Sequence, residues 1–268
     1  MSLEYIRPRN VEEALECLLS RTFKILAGGT DLVIQLREGR HKDLPILDIS
    51  RLSELRFIRE KDGKTVIGAL TTLSDLLSSE SLRRTAPVLL AAVREIGSVQ
   101  IRNMGTIGTR FCQIVSLGRK GRTRTMPLPD FLLGPCKTVL ESCELIHSVS
   151  FSTPPVYQHF EKLGERKAQA ISIASTALVS GFKNGRLKGI RVALGSVAPT
   201  VIRAKQAEAF LESRPLTPDM ILDAGEMAAQ EASPISDVRA TAAYRRKMVM
   251  AMVTRGLWPC LKEVGESR

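Results

Sequence analysis

The stretch FKILAGGTDLVIQLREG, residues 23–39, joins an apolar run, a pair of glycines and a helix-like segment. Its first five residues predict a buried strand, and LVIQLREG (32–39) predicts a helix. Glycine costs about 1 kcal/mol of backbone entropy relative to alanine in an ordered element. Gly28 and Gly29 therefore indicate either a plain tight turn or a loop whose backbone lets a ligand, such as a phosphate, approach closely.

Length and composition indicate a globular protein of one large or two medium domains. The chain has 268 residues, of which 44% are hydrophobic and 25% charged, and this is enough to bury a substantial core. No apolar run approaches the roughly 20 residues that a bilayer span requires. The charged start MSLEYIRPRN lacks an apolar signal core. We therefore expect a cytoplasmic protein.

The cysteine, histidine and charge patterns bear on metals and nucleic acid. The five cysteines have no CxxC spacing and the three histidines are scattered, so we expect no metal or iron–sulfur site held by this chain alone. The net charge of +11 suggests nucleic acid, but the charges are spread out and aromatic residues make up only 4%, so we expect no such partner. The basic run GRKGRTR (118–124) predicts a solvated turn. The alternative is that it binds an anionic cofactor or an acidic partner subunit.

The first 70 residues predict a small α/β unit followed by a hairpin. NVEEALECLLS (10–20) predicts a helix capped by Asn10, with acidic residues in its first turn. PILDIS (45–50) predicts a second strand after the glycine loop. RFIREK and KTVIGAL then alternate across Asp62-Gly63, which is a strong hairpin signal.

The middle of the chain is punctuated by glycine and proline. PVLLAAVREIG (87–97) predicts a helix with proline in its first turn and glycine at its end. Residues 98–127 read as rich in strands, PDFLLGP (129–135) as a turn and ELIHSVSF (144–151) as a strand. Pro154-Pro155 is the best linker candidate.

The remainder of the chain has a different sequence pattern, with strands first and helices after them. YQHFEKLG and the long segment from ISIAST to GSV predict strands, with a hairpin turn at Asn184-Gly185. Three helical segments follow, beginning IRAKQAEAFLES. Strands followed by helices predict an α+β domain with helices on one face of an antiparallel sheet.

A second glycine loop, NMGTIGT (103–109), resembles the first. Neither loop has the GxGxxG or P-loop spacing, but two such loops beside strands can grip the two phosphates of one dinucleotide. Asp31 then either hydrogen-bonds a ribose or caps the following helix, or does both. Arg102 faces a phosphate or forms a surface salt bridge.

Five segments carry a family resemblance: AGGTDL, IGALTTLSDL, IGSVQIRNMGTIG, MPLPDFLLGPCKTVL and LGSVAPTVIRA. In this order, over nearly the whole chain, they resemble the FAD-binding medium subunit of molybdenum hydroxylases, the xanthine dehydrogenase and carbon monoxide dehydrogenase group. The resemblance implies an α+β protein: a vanillyl-alcohol-oxidase (PCMH-type) FAD-binding domain at 1–153, with α/β lobes at about 1–53 and 54–153. A CO dehydrogenase flavoprotein C-terminal domain follows at 156–262.

The same resemblance implies the cofactor site. The first loop wraps the FAD pyrophosphate, the second takes the other side of the cofactor, and two further residues are flavin-side contacts. The implied residues are Lys24, Ile25, Leu26, Ala27, Gly28, Gly29, Thr30, Asp31, Thr106, Ile107, Gly108, Thr109, Arg110, Leu145 and Phe160. No catalytic residue is nominated, because FAD carries the redox chemistry.

The resemblance also implies an oxidoreductase complex. Electrons pass from a molybdopterin-binding large subunit through a [2Fe–2S] small subunit to the FAD of this chain, and from there to NAD or another acceptor. A homodimer of the chain is a further expectation.

Two departures from the family keep an alternative open. Where the family has TIGGN, this chain has TIGTR, with Thr109 in place of a glycine and Arg110 in place of a small amide. The chain is also shortened after residue 110, by about a helix and part of a strand that normally help to enclose the flavin. The alternative is a degenerate homologue that has lost or weakened FAD binding and serves as a structural or interaction subunit. Pairing of Arg110 with a phosphate is a compensation we also consider.

Overall fold

The chain packs as two units. The structure, a computed structural model, describes residues 4–41, 43–107, 114–119, 122–135, 137–153, 156–166, 169–183, 186–212 and 214–265. One compact unit comprises Met1–Glu80 with Ile96–Thr153, and the other comprises Ser81–Glu95 with Pro154–Arg268. The domain boundaries at 153 and 156 stay a prediction.

The described strands are short in the first unit and longer in the second. In chain order they are β1 (Tyr5–Ile6), β2 (Lys24–Leu26), β3 (Ile46–Asp48), β4 (Ile58–Lys61), β5 (Lys64–Gly68), β6 (Ile114–Arg119), β7 (Arg122–Pro127), β8 (Leu132–Gly134), β9 (Lys137–Thr138), β10 (Leu145–Ser152), β11 (Tyr157–Gly164), β12 (Ser172–Lys183), β13 (Arg186–Gly195) and β14 (Ile202–Arg203).

The longest helices lie near the C-terminus. In chain order the α-helices are α1 (Val11–Ser20), α2 (Leu32–Arg37), α3 (Leu73–Ser78), α4 (Glu80–Thr85), α5 (Pro87–Arg94), α6 (Val99–Met104), α7 (Leu128–Phe131), α8 (Lys205–Leu211), α9 (Pro218–Glu231), α10 (Ala242–Leu257) and α11 (Cys260–Gly265). A 3-10 turn at Ser53–Leu55 precedes β4.

The first sheet is parallel, in the order β1-β3-β2. The apolar face of α1 buries Ala14, Leu15 and Leu18 in a core that also holds Leu47 of the central strand. The Asn10 side chain accepts a hydrogen bond from the Glu13 amide at 2.8 Å and caps α1. The predicted order of helix, strand, glycine loop, helix and strand is confirmed, and β1 is an added edge strand that the sequence pattern missed.

A buried carboxylate joins β1 to β3. Asp48 is 2% exposed and accepts hydrogen bonds from the Tyr5 hydroxyl, from the Arg7 guanidinium at 2.8 Å and from the Ser50 amide at 2.9 Å. Burial raises the pKa of Asp48, but these hydrogen bonds outweigh burial and hold the pKa at about 2, below its ordinary 3.8.

The second sheet is antiparallel, in the order β4-β5-β10-β6-β7. The predicted hairpin between β4 and β5 is confirmed, and its turn residues Asp62 and Gly63 have φ of 51° and 70°. Such positive φ values at both central positions are those of a hairpin turn whose twist matches the strands.

Two local predictions in this unit are wrong. The prediction that residues 98–127 are rich in strands is confirmed by β6 and β7 but is wrong for residues 99–104. These form helix α6, because the Ser98 hydroxyl accepts from the Ile101 amide and starts a helix. PDFLLGP is not a plain turn: it contributes to α7 and then to β8, which pairs with β9.

The second unit confirms the predicted strands followed by helices. Its antiparallel sheet has the order β11-β12-β13-β14, and α8, α9 and α10 follow it in the chain. Residues 81–95 pack here as well: Gln158 on β11 accepts from the Val88 amide at 3.1 Å and donates to the Thr85 carbonyl at 3.2 Å. These two bonds tie the start of α5 to the sheet.

Two buried charges fasten helices to this sheet. Arg245 of α10 is 1% exposed; it donates to the Ile173 carbonyl at 2.6 Å and to Asp237 at 2.6 Å. Glu208 of α8 accepts from the Val192 amide at 2.7 Å and pairs with Arg203. Arg203 belongs to the LGSVAPTVIRA segment of the family resemblance, so that segment has a structural role in this unit.

Some predictions lie outside the described residues. They are the linker at Pro154-Pro155, the hairpin turn at Asn184-Gly185, the middle of the basic run at residues 120 and 121, and the segment from Gly108 to Gln113.

Asp48 predicts a pH dependence of the first unit. Because its pKa in the folded protein is depressed, its stabilisation is present above the unfolded value of 3.8 and is lost as the pH falls towards about 2. We expect Asp48→Asn to lower the free energy of unfolding by about 2 kcal/mol at pH 7 and to flatten its decline between about pH 4 and pH 2. Urea unfolding at a series of pH values measures both effects.

The matched control is Asp43→Asn, which alters an exposed carboxylate of the same unit. It is expected to change the free energy of unfolding by less than about 0.5 kcal/mol. An Asp48→Asn profile that runs parallel to the wild type throughout this pH range would contradict the assignment.

Candidate cofactor-binding site

The two glycine loops lie against each other. A Cβ added at Gly28 would stand 1.8 Å from the Met104 carbonyl oxygen and 3.2 Å from the Gly105 Cα. A Cβ added at Gly105 would lie 3.6 Å from the Thr30 hydroxyl oxygen. The end of α6 and the loop after β2 therefore form one continuous patch of backbone.

Glycine is needed at the two positions of the first loop for different physical reasons. Gly28 is required by the close approach of the Met104 carbonyl, since a 1.8 Å separation leaves no space for a methyl group. Gly29 has φ of +74°, which glycine adopts without the steric cost of a side chain. Together they turn the chain sharply from β2 into α2.

The amides of the first loop are available to a ligand. In the part of the chain that the structure describes, the N–H groups of Gly28, Gly29, Thr30 and Asp31 donate no hydrogen bond. All four residues are half-buried or exposed. Consecutive unpaired amides at a turn are suited to an anion such as a diphosphate.

Asp31 occupies the N-cap position of α2 but does not cap it. Its side chain accepts no hydrogen bond from a helix amide. Its carboxylate instead accepts from the Gln35 side-chain amide at 2.8 Å. The predicted capping role is therefore wrong for the side chain, and the loop amides stay open.

The second loop is held by the segment at 71–75. The Ile107 amide donates to the Thr71 carbonyl and the Leu73 amide donates to the Gly105 carbonyl, both at 2.9 Å. Thr72 and Asp75 form a full capping box on α3. This support fixes where Thr106 lies.

Arg56 strengthens that support. Its guanidinium makes two hydrogen bonds of 2.8 Å to Asp75. Burial raises the pKa of Asp75, but the bonds from Arg56 and Thr72 outweigh burial, and the pKa lies below its ordinary value. Asp75 therefore stays ionised and holds both the cap and the arginine.

The predicted residues on β2 form an accessible edge. Lys24, Ile25 and Leu26 are all half-buried, and their strand is the edge strand beside β3. Ala27 and Thr30 are also half-buried, as is Thr106 in the second loop. Ile107 is 3% exposed, so its side chain belongs to the core and its backbone is what the loop presents.

Other predicted residues lie elsewhere. Leu145 is 2% exposed and packs in the core with Leu47, so its side chain is not presented to a ligand. Phe160 is half-buried on β11 of the second unit. Arg102 donates to the Ile96 and Gly97 carbonyls, at 3.0 and 3.1 Å, and its predicted phosphate contact or salt bridge stays a prediction. Gly108, Thr109 and Arg110 lie outside the described residues.

Sequence reasoning missed the supporting residues of the site. Arg56 and Asp75 carry no local signal of their pairing, because they are distant in the chain. Gln35 could have been found, because it stands four residues after Asp31, a spacing at which helical side chains meet. Among the described residues, no group of three or more His, Cys, Asp or Glu side chains is placed to hold a metal ion.

Comparison with known proteins identifies the family. Residues 1–113 match a family model described as the FAD binding domain in molybdopterin dehydrogenase, and residues 158–258 match the CO dehydrogenase flavoprotein C-terminal domain. The carbon monoxide dehydrogenase medium chain of Hydrogenophaga pseudoflava is 33% identical over 277 residues, covering 95% of each chain. The xanthine dehydrogenase FAD-binding subunit of Escherichia coli O157:H7 is 31% identical, covering 94% of this chain and 93% of that one.

Comparison with solved structures supports the same family. A chain of the carbon monoxide dehydrogenase structure from Hydrogenophaga pseudoflava superposes with a TM-score of 0.90 and 31% identity, covering 97% of this chain and 98% of that one. The fold and the paired glycine loops define a flavoprotein of the dinucleotide-binding class. The chain belongs to the family of FAD-binding medium subunits of molybdenum hydroxylases, which are oxidoreductase components.

The residues present fit the cofactor that the family implies. The open amides from Gly28 to Asp31 offer hydrogen-bond donors to a diphosphate, and the half-buried edge of β2 offers apolar surface beside them. None of the described helices is long and apolar enough to cross a membrane.

The loop contact generates a prediction about stability. We expect Gly28→Ala to lower the free energy of unfolding by about 1–3 kcal/mol, because its methyl group would overlap the Met104 carbonyl and force backbone to move. We expect Gly29→Ala to lower the free energy of unfolding by about 1 kcal/mol, because alanine is strained at this positive φ. Urea unfolding followed by circular dichroism measures both values.

Gly134→Ala is the matched control. An added Cβ at Gly134 has no neighbour within 4 Å among the described residues, and its φ is not positive. Equal stability of the Gly28 and Gly134 variants would show that the two loops do not touch.

Proposed function

We propose that this chain is the FAD-binding electron-transfer subunit of a molybdenum-containing hydroxylase or dehydrogenase complex. The observation that carries the proposal is the run of unpaired amides from Gly28 to Asp31, placed against the second glycine loop. Membership of the medium-subunit family supplies the identity of the ligand.

The proposed cofactor-binding residues keep the roles that the family implies. The segment from Lys24 to Asp31 holds the diphosphate, and the segment from Thr106 to Arg110 takes the other side of the cofactor. Lys24 is half-buried and forms no ion pair with a described residue, so its charge is available to a phosphate. Leu145 contributes through its backbone, since its side chain is in the core. Phe160 is the remaining proposed contact.

Bound FAD supplies the redox chemistry. The chain itself would bind and orient the cofactor: the loop amides would donate hydrogen bonds to the diphosphate, Thr30 and Thr106 would offer hydroxyl donors, and the β2 edge would shield one side from water. We therefore assign no catalytic residue to the chain.

The partners follow from the relatives, which are medium subunits of larger enzymes. We propose a molybdopterin-binding large subunit and a [2Fe–2S] small subunit as electron donors, with NAD or another acceptor beyond the FAD. A homodimer within the complex and a cytoplasmic location are further parts of the proposal. The free thiols of Cys17, Cys143 and Cys260 support a reducing compartment. The proposal includes no nucleic-acid partner, and its domain boundaries are 1–153 and 156–262.

The decisive experiment measures flavin in the assembled complex. We expect the chain, purified with the subunits encoded beside it, to contain about one FAD per chain and to lose the flavin's visible absorption on reduction. We expect Lys24→Met to weaken FAD binding about tenfold, because a charge-assisted contact to a phosphate is removed. Titration of the flavin-depleted complex with FAD measures this change.

Lys61→Met is the matched control, since Lys61 is an exposed lysine of the same unit. A complex that assembles but neither contains nor takes up FAD would refute the proposal. In that case the degenerate homologue, a structural subunit without flavin, is the function that remains.

A further inference from the structure

A hydrogen-bonded chain of side chains leads away from the first glycine loop. The Gln35 amide nitrogen donates to Asp31 Oδ2 at 2.8 Å. The Gln35 amide oxygen lies 2.9 Å from His41 Nε2.

The turn after α2 brings His41 back to this helix. Gly39 has φ of +80° and His41 has φ of +60°. The Arg40 amide donates to the Gln35 carbonyl at 2.9 Å. A residue other than glycine in the left-handed region is sterically strained, so the His41 conformation is one that the surrounding contacts maintain.

Hydrogen-bond chemistry fixes the orientation of each group. An ionised carboxylate only accepts, so Gln35 must present its NH₂ group to Asp31 and its oxygen to His41. His41 Nε2 must therefore carry a hydrogen and donate it. A reversed Gln35 amide would set its oxygen against the carboxylate and its NH₂ group against the donor of His41. With a hydrogen on Nε2, His41 supports the same Gln35 orientation that the Asp31 carboxylate requires.

The other oxygen of Asp31 is left for a ligand. Asp31 is exposed, and its Oδ1 has no hydrogen-bond partner among the described residues. A carboxylate in this place accepts from a hydroxyl group and repels a phosphate. The neighbouring amides of Gly28, Gly29 and Thr30 have the opposite preference, because they donate to anions.

We propose that Gln35 and His41 are positioning residues that hold Asp31 for a sugar hydroxyl of the dinucleotide. The loop amides take the diphosphate, and Asp31 accepts a hydrogen bond from the adjoining sugar. This inference rests on the proposed FAD-binding function and adds Gln35 and His41 to the ribose contact that the sequence predicts for Asp31.

A purely structural role for Gln35 makes a different prediction. A Gln–Asp pair four residues apart also stabilises a helix slightly. In that case loss of Gln35 weakens FAD binding equally, whether residue 31 is aspartate or asparagine. If Gln35 acts through the Asp31 carboxylate, its effect disappears once that carboxylate is gone.

The test is a double-mutant cycle on FAD affinity in the flavin-depleted complex. We expect Asp31→Asn to raise Kd about tenfold, and Gln35→Met and His41→Asn each to raise it roughly threefold to tenfold. Asparagine tolerates the left-handed backbone of His41 but is too short to replace its ring. The Asp31→Asn/Gln35→Met double variant is expected to match Asp31→Asn alone within about twofold. Arg37→Gln, an exposed change on the same helix, is the control with unchanged affinity.

The outcomes separate the two proposals. Wild-type complex that takes up no FAD overturns the proposed function. Wild-type complex that binds FAD, with Gln35→Met and His41→Asn binding as tightly, overturns the positioning role alone. Additive effects of Asp31→Asn and Gln35→Met, with a lowered melting temperature for Gln35→Met, also overturn it in favour of the structural role.

Discussion

The backbone of Gly28 touches the backbone of Met104 and Gly105, and this contact is possible only where residue 28 has no side chain. It joins the turn after β2 to the end of α6, so two segments far apart in the chain make one surface. The site depends on this approach, because the open amides of the first loop then lie beside the second loop rather than alone. A glycine that looks costly in isolation is explained by the packing of backbone on backbone.

Further hydrogen bonds around the two loops hold each of them in position. Thr71 and Leu73 bond to the backbone on either side of Thr106, and Asp75 joins this cap to Arg56. On the other side, Gln35 holds Asp31 away from the helix amides that it would ordinarily cap. In each pair, Asp75 with Arg56 and Asp31 with Gln35, a hydrogen-bonded carboxylate lies beside a loop. The first carboxylate fixes backbone, and the second leaves amides and one carboxylate oxygen free for a ligand.

The second unit relies on the same use of charge in a purely structural setting. Arg245 and Glu208 are buried, and each bonds to backbone groups of the sheet as well as to an opposite charge. A buried charge is tolerated only when it is paired and hydrogen-bonded in this way. These contacts give the segment around Arg203 a structural role, although it lies outside the glycine loops.

The sequence by itself determined the local elements and the family. Helix α1, the hairpin at Asp62-Gly63 and the strands followed by helices were predictable, because caps, turn residues and periodicity act between near neighbours. The order of the glycine segments was enough to indicate an FAD-binding medium subunit. Sequence also pointed to the two loops, but not to the residues that support them.

Only the tertiary structure decided the contacts between distant residues. It paired Gly28 with Met104, placed Leu145 in the core, and bound residues 85 and 88 to Gln158 in the second unit. Each outcome depends on which groups meet in space, and local propensities of less than about 1 kcal/mol per residue are too weak to resist such contacts.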